Sequence, residues 1–292
     1  MKIKFNHLLN AGMVFALSAI SGLSYAQSSE TTSAMAGVKG SSDGGTVQLV
    51  VPDSNKHRFS VSWGWNRSAY SNSDIHFSGL DHNFTLTNVH ATDKPSPLKA
   101  DTYLNPLNMT LPQTNARVAY QWDDDTAIAL NLDHMKYVVK DNQTVNMYGQ
   151  VQGVNRTGTL DLNPTSFGHY EHTDGLNIIS LEYEKQKEVD WFGPKMPSRL
   201  FGLVGAGVVY PKSNVTLAIT GRARNDAFHV AGYSLETGLG LEVDVYSRFF
   251  VRTTAKAGFV DLPDVRTSKL PTDKASQSFA FAEIIMALGV RF

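Results

Sequence analysis

The sequence has no cysteine, which excludes disulfides, thiolate metal sites and cysteine nucleophiles. It is also short of charge. Asp, Glu, Lys and Arg supply 18% of its residues, against about 25% in an ordinary globular chain. The formal net charge is −1. A chain so close to neutral has no basic field with which to hold nucleic acid. Long apolar runs are missing as well. Beyond residue 26 none approaches the roughly 20 residues a membrane helix needs.

What is present begins with a leader. Lys2 and Lys4 precede an apolar stretch from Leu8 to Ile20, and Ser24-Tyr25-Ala26 is a small-x-small cleavage site. This pattern predicts a signal peptide over residues 1–26 and an exported protein, and with no cysteine at the cleavage site it is not a lipoprotein. Residues 27–52 are rich in Ser, Gly and Thr and read as a flexible periplasmic linker. The folded domain is expected over 53–292.

That domain is organised around its final stretch. From Ala280 to Phe292 one parity is wholly apolar, and the other carries Glu283, Gly289 and Arg291. A period of two is the signature of a strand. Seven further segments alternate or are strand-like: His57–Asn66, Asn115–Trp122, Thr126–Val139, His172–Glu184, Arg199–Tyr210, His229–Val243 and Arg248–Val260. Arg199–Tyr210 is apolar on both parities, which leaves its facing open. The connections alternate between short (Asp123–Asp125, Asp244–Ser247, with Lys185–Ser198 intermediate) and long. Phe84–Ala91 is a possible further strand, but Pro106 and Pro112 make Thr102–Pro112 poor partner material. The fold class is therefore all-β, an antiparallel up-and-down barrel, with eight strands favoured and ten to twelve as the alternative.

Leader, alternation, loop asymmetry and terminal Phe together resemble bacterial outer-membrane β-barrel proteins of the small, porin-like kind. The resemblance implies an outer-membrane location. It also implies contact with outer-membrane lipids and lipopolysaccharide, and recognition of the C-terminal strand by the barrel-assembly machinery. A monomer is expected, with no cofactor. Aromatics fall where interface girdles belong: Trp122, Tyr183, Phe249 and Phe292 at the periplasmic end, Trp65, Tyr137, Tyr210 and Phe259 at the outer end.

The inward parity would carry Arg58, Arg117, Arg252, Lys256 and Arg291 beside Asp133, Glu182, Glu184, Glu236, Glu242 and Glu283. Eight strands enclose just enough space for side chains to fill, and charges buried there must pair. A salt-bridged plug is the expectation, and a narrow polar channel the alternative.

A second cluster stands at the outer rim. Asp133 and His134 lie near the end of one strand, and His169, Glu171, His172 and Asp174 at the start of its hairpin neighbour. Imidazole with carboxylate suits a divalent metal or a held general base. His172-Thr173-Asp174 loosely resembles the His-x-Ser motif of outer-membrane lipid A deacylases, with Asp174 where the serine would stand. That substitution counts against serine-type catalysis, whereas a metal-assisted hydrolase would not need the serine. The plain reading is a hydrogen-bonded rim, with Lys136 and Lys140 facing lipopolysaccharide phosphates. The expected role is a structural or surface-binding barrel, with a passive pore and an outer-leaflet hydrolase as alternatives.

Overall fold

The final strand finds its partner at the other end of the domain. In the computed structural model, which describes residues 57–97, 99 and 112–292, the amide of Phe292 donates to the carbonyl of Phe59 at 2.7 Å. From there the register runs upward, from Ser60 opposite Arg291 to Tyr70 opposite Phe281. The leader and linker expected over 1–52 lie outside the described residues, as does most of Thr102–Pro112.

Eight strands close the ring. They are β1 (Phe59–Tyr70), β5 (Thr114–Gln121), β6 (Thr126–Val139), β10 (Gly168–Val189), β11 (Ser198–Val209), β14 (Gly232–Tyr246), β15 (Phe249–Arg266) and β16 (Lys274–Arg291). Each pairs antiparallel with the next, and β16 returns to β1, so the ring has no free edge. The eight-strand expectation holds. Strand ends differ from the sequence reading chiefly at the top, where β10, β15 and β16 run several residues further than alternation alone indicated.

Those extensions belong to a second storey. It is completed by β2 (Ser73–Ser78), β3 (His82–Val89), β4 (Ala91–Thr92), β7 (Gln143–Val151), β8 (Val154–Asn155), β9 (Gly158–Leu162), β12 (Lys212–Leu217) and β13 (Asn225–Phe228). Over residues 274–277 β16 exchanges β1 for β2, and β3 and β7 continue the sheet. On the far side β10 takes β12 as its neighbour, followed by β13. The segment around Phe84 is thus a strand, but it serves this upper storey and adds nothing to the ring. Gln152 and Gly153, both at positive φ (52° and 73°), form the tight turn between β7 and β8.

The storeys have opposite interiors. The upper one encloses a continuous apolar core of Phe77, Phe84, Tyr137, Tyr170, Leu176, Leu262 and Phe279, among others, all fully buried. Tyr137 stacks on Phe279 with ring centroids 4.7 Å apart, and Phe77 on Phe84 at 4.9 Å. The lower interior is polar, and from there up to the junction of the storeys the wall itself is shaped by glycine. Phe201 of β11 faces Gly240 of β14, Phe250 of β15 faces Gly289 of β16, and Phe281 of β16 faces Gly258 of β15. A Cβ on any of these glycines would lie within 2.6 Å of the opposing ring.

Candidate functional site

Period two fixes what each lower strand shows to either side. On β6, Ala129, Asn131 and Asp133 point inward and are buried, while Leu130 and Leu132 point out and are exposed. The ambiguous strand β11 resolves the same way, with Phe201, Leu203 and Gly205 inward and Leu200, Val204 and Val208 outward. Around the ring Leu130, Leu181, Leu235, Ile284 and Leu288 are each more than half exposed. An apolar belt of this kind is untenable in water and is what a lipid-facing wall requires. Exposed Trp122, Tyr183, Phe249 and Phe292 border it below. Phe259, Tyr233 and Tyr210 (stacked on Phe228 at 5.3 Å) border it above, with Trp65 half-buried against Trp63.

The lumen inside this belt is full. Lys256 Nζ lies 2.8 Å from Asp133, 2.9 Å from Glu182 and 3.4 Å from Glu236. Arg117 bridges Glu182 and Glu184, each at 2.8 Å. Arg252 joins Glu184 at 2.5 Å to Glu242 at 3.2 Å, with its guanidinium 3.5 Å from the centre of the Phe201 ring. At the lower mouth Arg291 pairs with Glu242 and, at 2.6 Å, with Asp244, where Arg199 also arrives. Asn115 and Asn131 donate to Asp133, and Ser180 to Glu236. Gly205 makes room for the network, since a Cβ there would sit 2.8 Å from Glu236 Oε1. Glu283 is buried beside Asn66 and Lys256, and its oxygens make no well-formed hydrogen bond to the described residues. A cavity of about 10 Å³ remains among Arg117, Glu182, Arg252 and Lys256, scarcely the room one water needs.

An apolar outer belt between two aromatic borders, a closed ring and a charged interior decide the class. The chain is a β-barrel of the bacterial outer-membrane type. The upper storey is carried on the long connections, which in barrels of this type lie on the extracellular side.

Comparison with known proteins adds no closer assignment. No protein-family model and no curated protein matches the chain. Among solved structures it is similar to the outer-membrane protein OprG of Pseudomonas aeruginosa (11% identity, 81% of this chain and 97% of that one, TM-score 0.36). It is also similar to the Neisserial surface protein A (10% identity, 80% and 97%, TM-score 0.33). A third is Ail, the attachment invasion locus protein of Yersinia pestis, in complex with the heparin analogue sucrose octasulfate (12% identity, 80% and 98%, TM-score 0.33). Likenesses this distant carry no argument about what the barrel binds or does.

Two sequence expectations are corrected by side-chain direction. Tyr137 is not an interface aromatic. It lies on the inward parity of β6, fully buried in the upper core, where its hydroxyl meets Gln277 at 3.2 Å and Ser73 at 3.3 Å. Arg58 is not a lumen charge. It precedes β1, is exposed, and reaches 3.2 Å to the hydroxyl of outward-facing Tyr120 at the lower rim.

The rim cluster disperses. Asp133 points into the lumen, whereas its neighbour His134 points out and bonds Asn177 at 2.7 Å. His172 turns into the upper core, fully buried, with Nδ1 2.9 Å from Ser213 Oγ and the rings of Tyr170 and Tyr137 beside it. Asp174 sits in the bulge between His172 and Leu176 and pairs with Lys212 at 2.8 Å. Only His169 and Glu171 come together, at 2.9 Å, with Asn214 and Lys94 completing the shell of Glu171. Burial would raise the pKa of Glu171, but hydrogen bonds from His169, Thr173 and Asn214 outweigh it and hold the carboxyl well below its usual range. No group of three or more His, Asp or Glu among the described residues is arranged to hold a metal ion.

Proposed function

We propose that this protein is a non-conducting outer-membrane barrel whose work is done by its extracellular storey, as a surface-binding or envelope-structural element. The observation that carries this reading is the double seal. A network of buried ion pairs fills the membrane-level lumen, and an apolar core roofs it. A diffusion pore needs a water-filled path, and the packing of the described residues in both layers weighs against one. The dispersal of His134, His172 and Asp174 argues against an outer-leaflet hydrolase, because nucleophile, base and electrophile must meet within hydrogen-bond reach.

Partners follow from the same chemistry. Lys94, Lys136 and Lys212, on the wall above the belt, are the cations proposed to meet lipopolysaccharide phosphates. The β16 strand with Phe292 is the element offered to the barrel-assembly machinery. Reconstitution into planar bilayers tests the central claim. The expected trace is flat, and stepwise openings of reproducible size would overturn it.

A further inference from the structure

A groove of about 580 Å³ opens on the outer face of the upper storey, and nothing in the sealed lumen or the dispersed rim accounts for it. It forms where β16 exchanges β1 for β2, so that the tops of β15 and β16 make one wall and the β2–β3 hairpin the other. Asp261, Ser276 and Ser278 line the first wall; Asp74, His76 and Thr85 line the second.

The lining is held in place before any ligand arrives. The amide of Asn88, a residue at φ 57°, donates to Asp74 Oδ1 at 2.8 Å. His76 Nδ1 and Thr85 Oγ1 are 3.0 Å apart, and Ser278 donates to Asp261. Asn72 bridges Asn88 and His90. Strand-borne polar groups fixed by one another make a more precise site than a mobile loop would.

The chemistry of the lining narrows the ligand. Among the described residues no Lys or Arg lines the groove, which disfavours a phosphate, a sulfated sugar or an acidic peptide. Pro263 is the one apolar residue among the described lining, which disfavours a lipid tail. The carboxylates accept, while the hydroxyls and amides both donate and accept, so together they match an array of neutral hydroxyl groups. A volume of this size takes two or three sugar rings. Its height agrees: Asp261 is paired in register with Tyr233, and Phe259 lies two residues below on the same face, so the groove starts directly above the outer aromatic border.

We propose that this groove binds a neutral saccharide. The inference rests on the outward orientation of the upper storey but not on the closed lumen, so sugar binding and conductance can fail separately. The test uses the full-length barrel in detergent, titrated with maltotriose, mannotriose and lactose, with spermidine as a cationic competitor, and followed by saturation-transfer NMR. A second arm places it in vesicles containing lipopolysaccharide with a hexose-bearing core or lipopolysaccharide truncated before the first hexose. That arm reads amide-exchange protection over 73–78 and 274–278. Signal with a free oligosaccharide identifies a soluble glycan as the source, and protection confined to the hexose-bearing vesicles identifies the lipid-linked one. In either arm Asp261→Asn should weaken binding by about tenfold, equivalent to about 1.4 kcal/mol. The half-buried pair His76→Ala with Thr85→Val, which lies on β2 and β3 outside the eight-stranded ring, should do the same. Silence in both arms, unchanged binding by both variants, or spermidine occupying the groove in place of every sugar would overturn the proposal.

Discussion

Strands of the ring run on into the upper storey, and their facing inverts on the way. On β6 the inward residues pass from Asn131 and Asp133 to Met135 and Tyr137, while the outward ones pass from Leu130 and Leu132 to His134 and Lys136. On β15 the interior changes from Arg252, Thr254 and Lys256 to Val260 and Leu262, and on β16 from Glu283 to Phe281 and Phe279. Parity never changes; the surroundings do. Above the membrane, water surrounds the wall, and enclosing apolar side chains yields about 25 cal/mol per Å² removed from water. Within the membrane an apolar interior gains nothing over the lipid already outside, so the lumen is free to be polar provided its charges pair. One storey is held by solvent exclusion, the other by complementary charge and a closed ladder of hydrogen bonds.

The largest effect expected from breaking this contrast is in the lumen. Lys256→Ala strips three buried carboxylates of their shared cation, and should cost about 3–5 kcal/mol in urea unfolding from detergent. Replacing Lys256 by Met together with Asp133→Asn, Glu182→Gln and Glu236→Gln should restore most of that loss. If it does not, the network is more than mutual neutralisation.

Next comes the upper core. Phe279→Ala removes the ring stacked on Tyr137 and should cost about 3 kcal/mol. The damage should stay local: trypsin added to whole cells would cut the extracellular storey while the barrel keeps its heat-modifiable gel shift. Loss of the shift as well would mean that the two storeys fold as one unit.

Acid should distinguish them too. Burial holds His172 neutral, with its pKa lowered to about 3 against a weaker opposing pull from Glu171. The unfolded imidazole titrates near 6.5, so between these values the unfolded chain takes up a proton that the folded one refuses. Stability of the upper storey should therefore fall as pH drops through this window, by about 2 kcal/mol at pH 5. His172→Gln should flatten that slope, as judged by amide exchange over 168–172. The smallest effect is expected at the lower turn, where Lys185→Ala breaks a largely exposed pair with Asp125 and should shift stability by under about 1 kcal/mol.

The ring was legible in the sequence because lipid and lumen impose opposite demands on alternate residues over most of each strand. Thr126–Val139 reads the same in both. The upper storey was hidden for two reasons. Its strands are short, as in Gln143–Val151 and Asn225–Phe228, and its polarity runs opposite to the barrel's, so Tyr137 looked like an outward girdle residue when alternation had already turned it inward. The rim reading failed on the same arithmetic. Asp133 and His134 are consecutive in a strand and cannot share a face, and the bulge at Thr173–Gly175 that separates His172 from Asp174 leaves no pattern in the sequence beyond Gly175, whose φ is 125°.

The opposed phenylalanines and glycines of the wall have a consequence for how the chain is proofread. Phe250 fits Gly289, and Phe281 fits Gly258, along one seam but from opposite strands. Sliding β16 by two residues would preserve every face and every alternation, so neither lipid nor lumen would object. It would, however, set Phe250 against Ala287 or Arg291 and Phe281 against Lys256 or Val260, and both lock-and-key fits would fail together. Glycine here acts as a spelling check that hydropathy cannot perform, rejecting the even-numbered slips that a two-residue repeat is blind to.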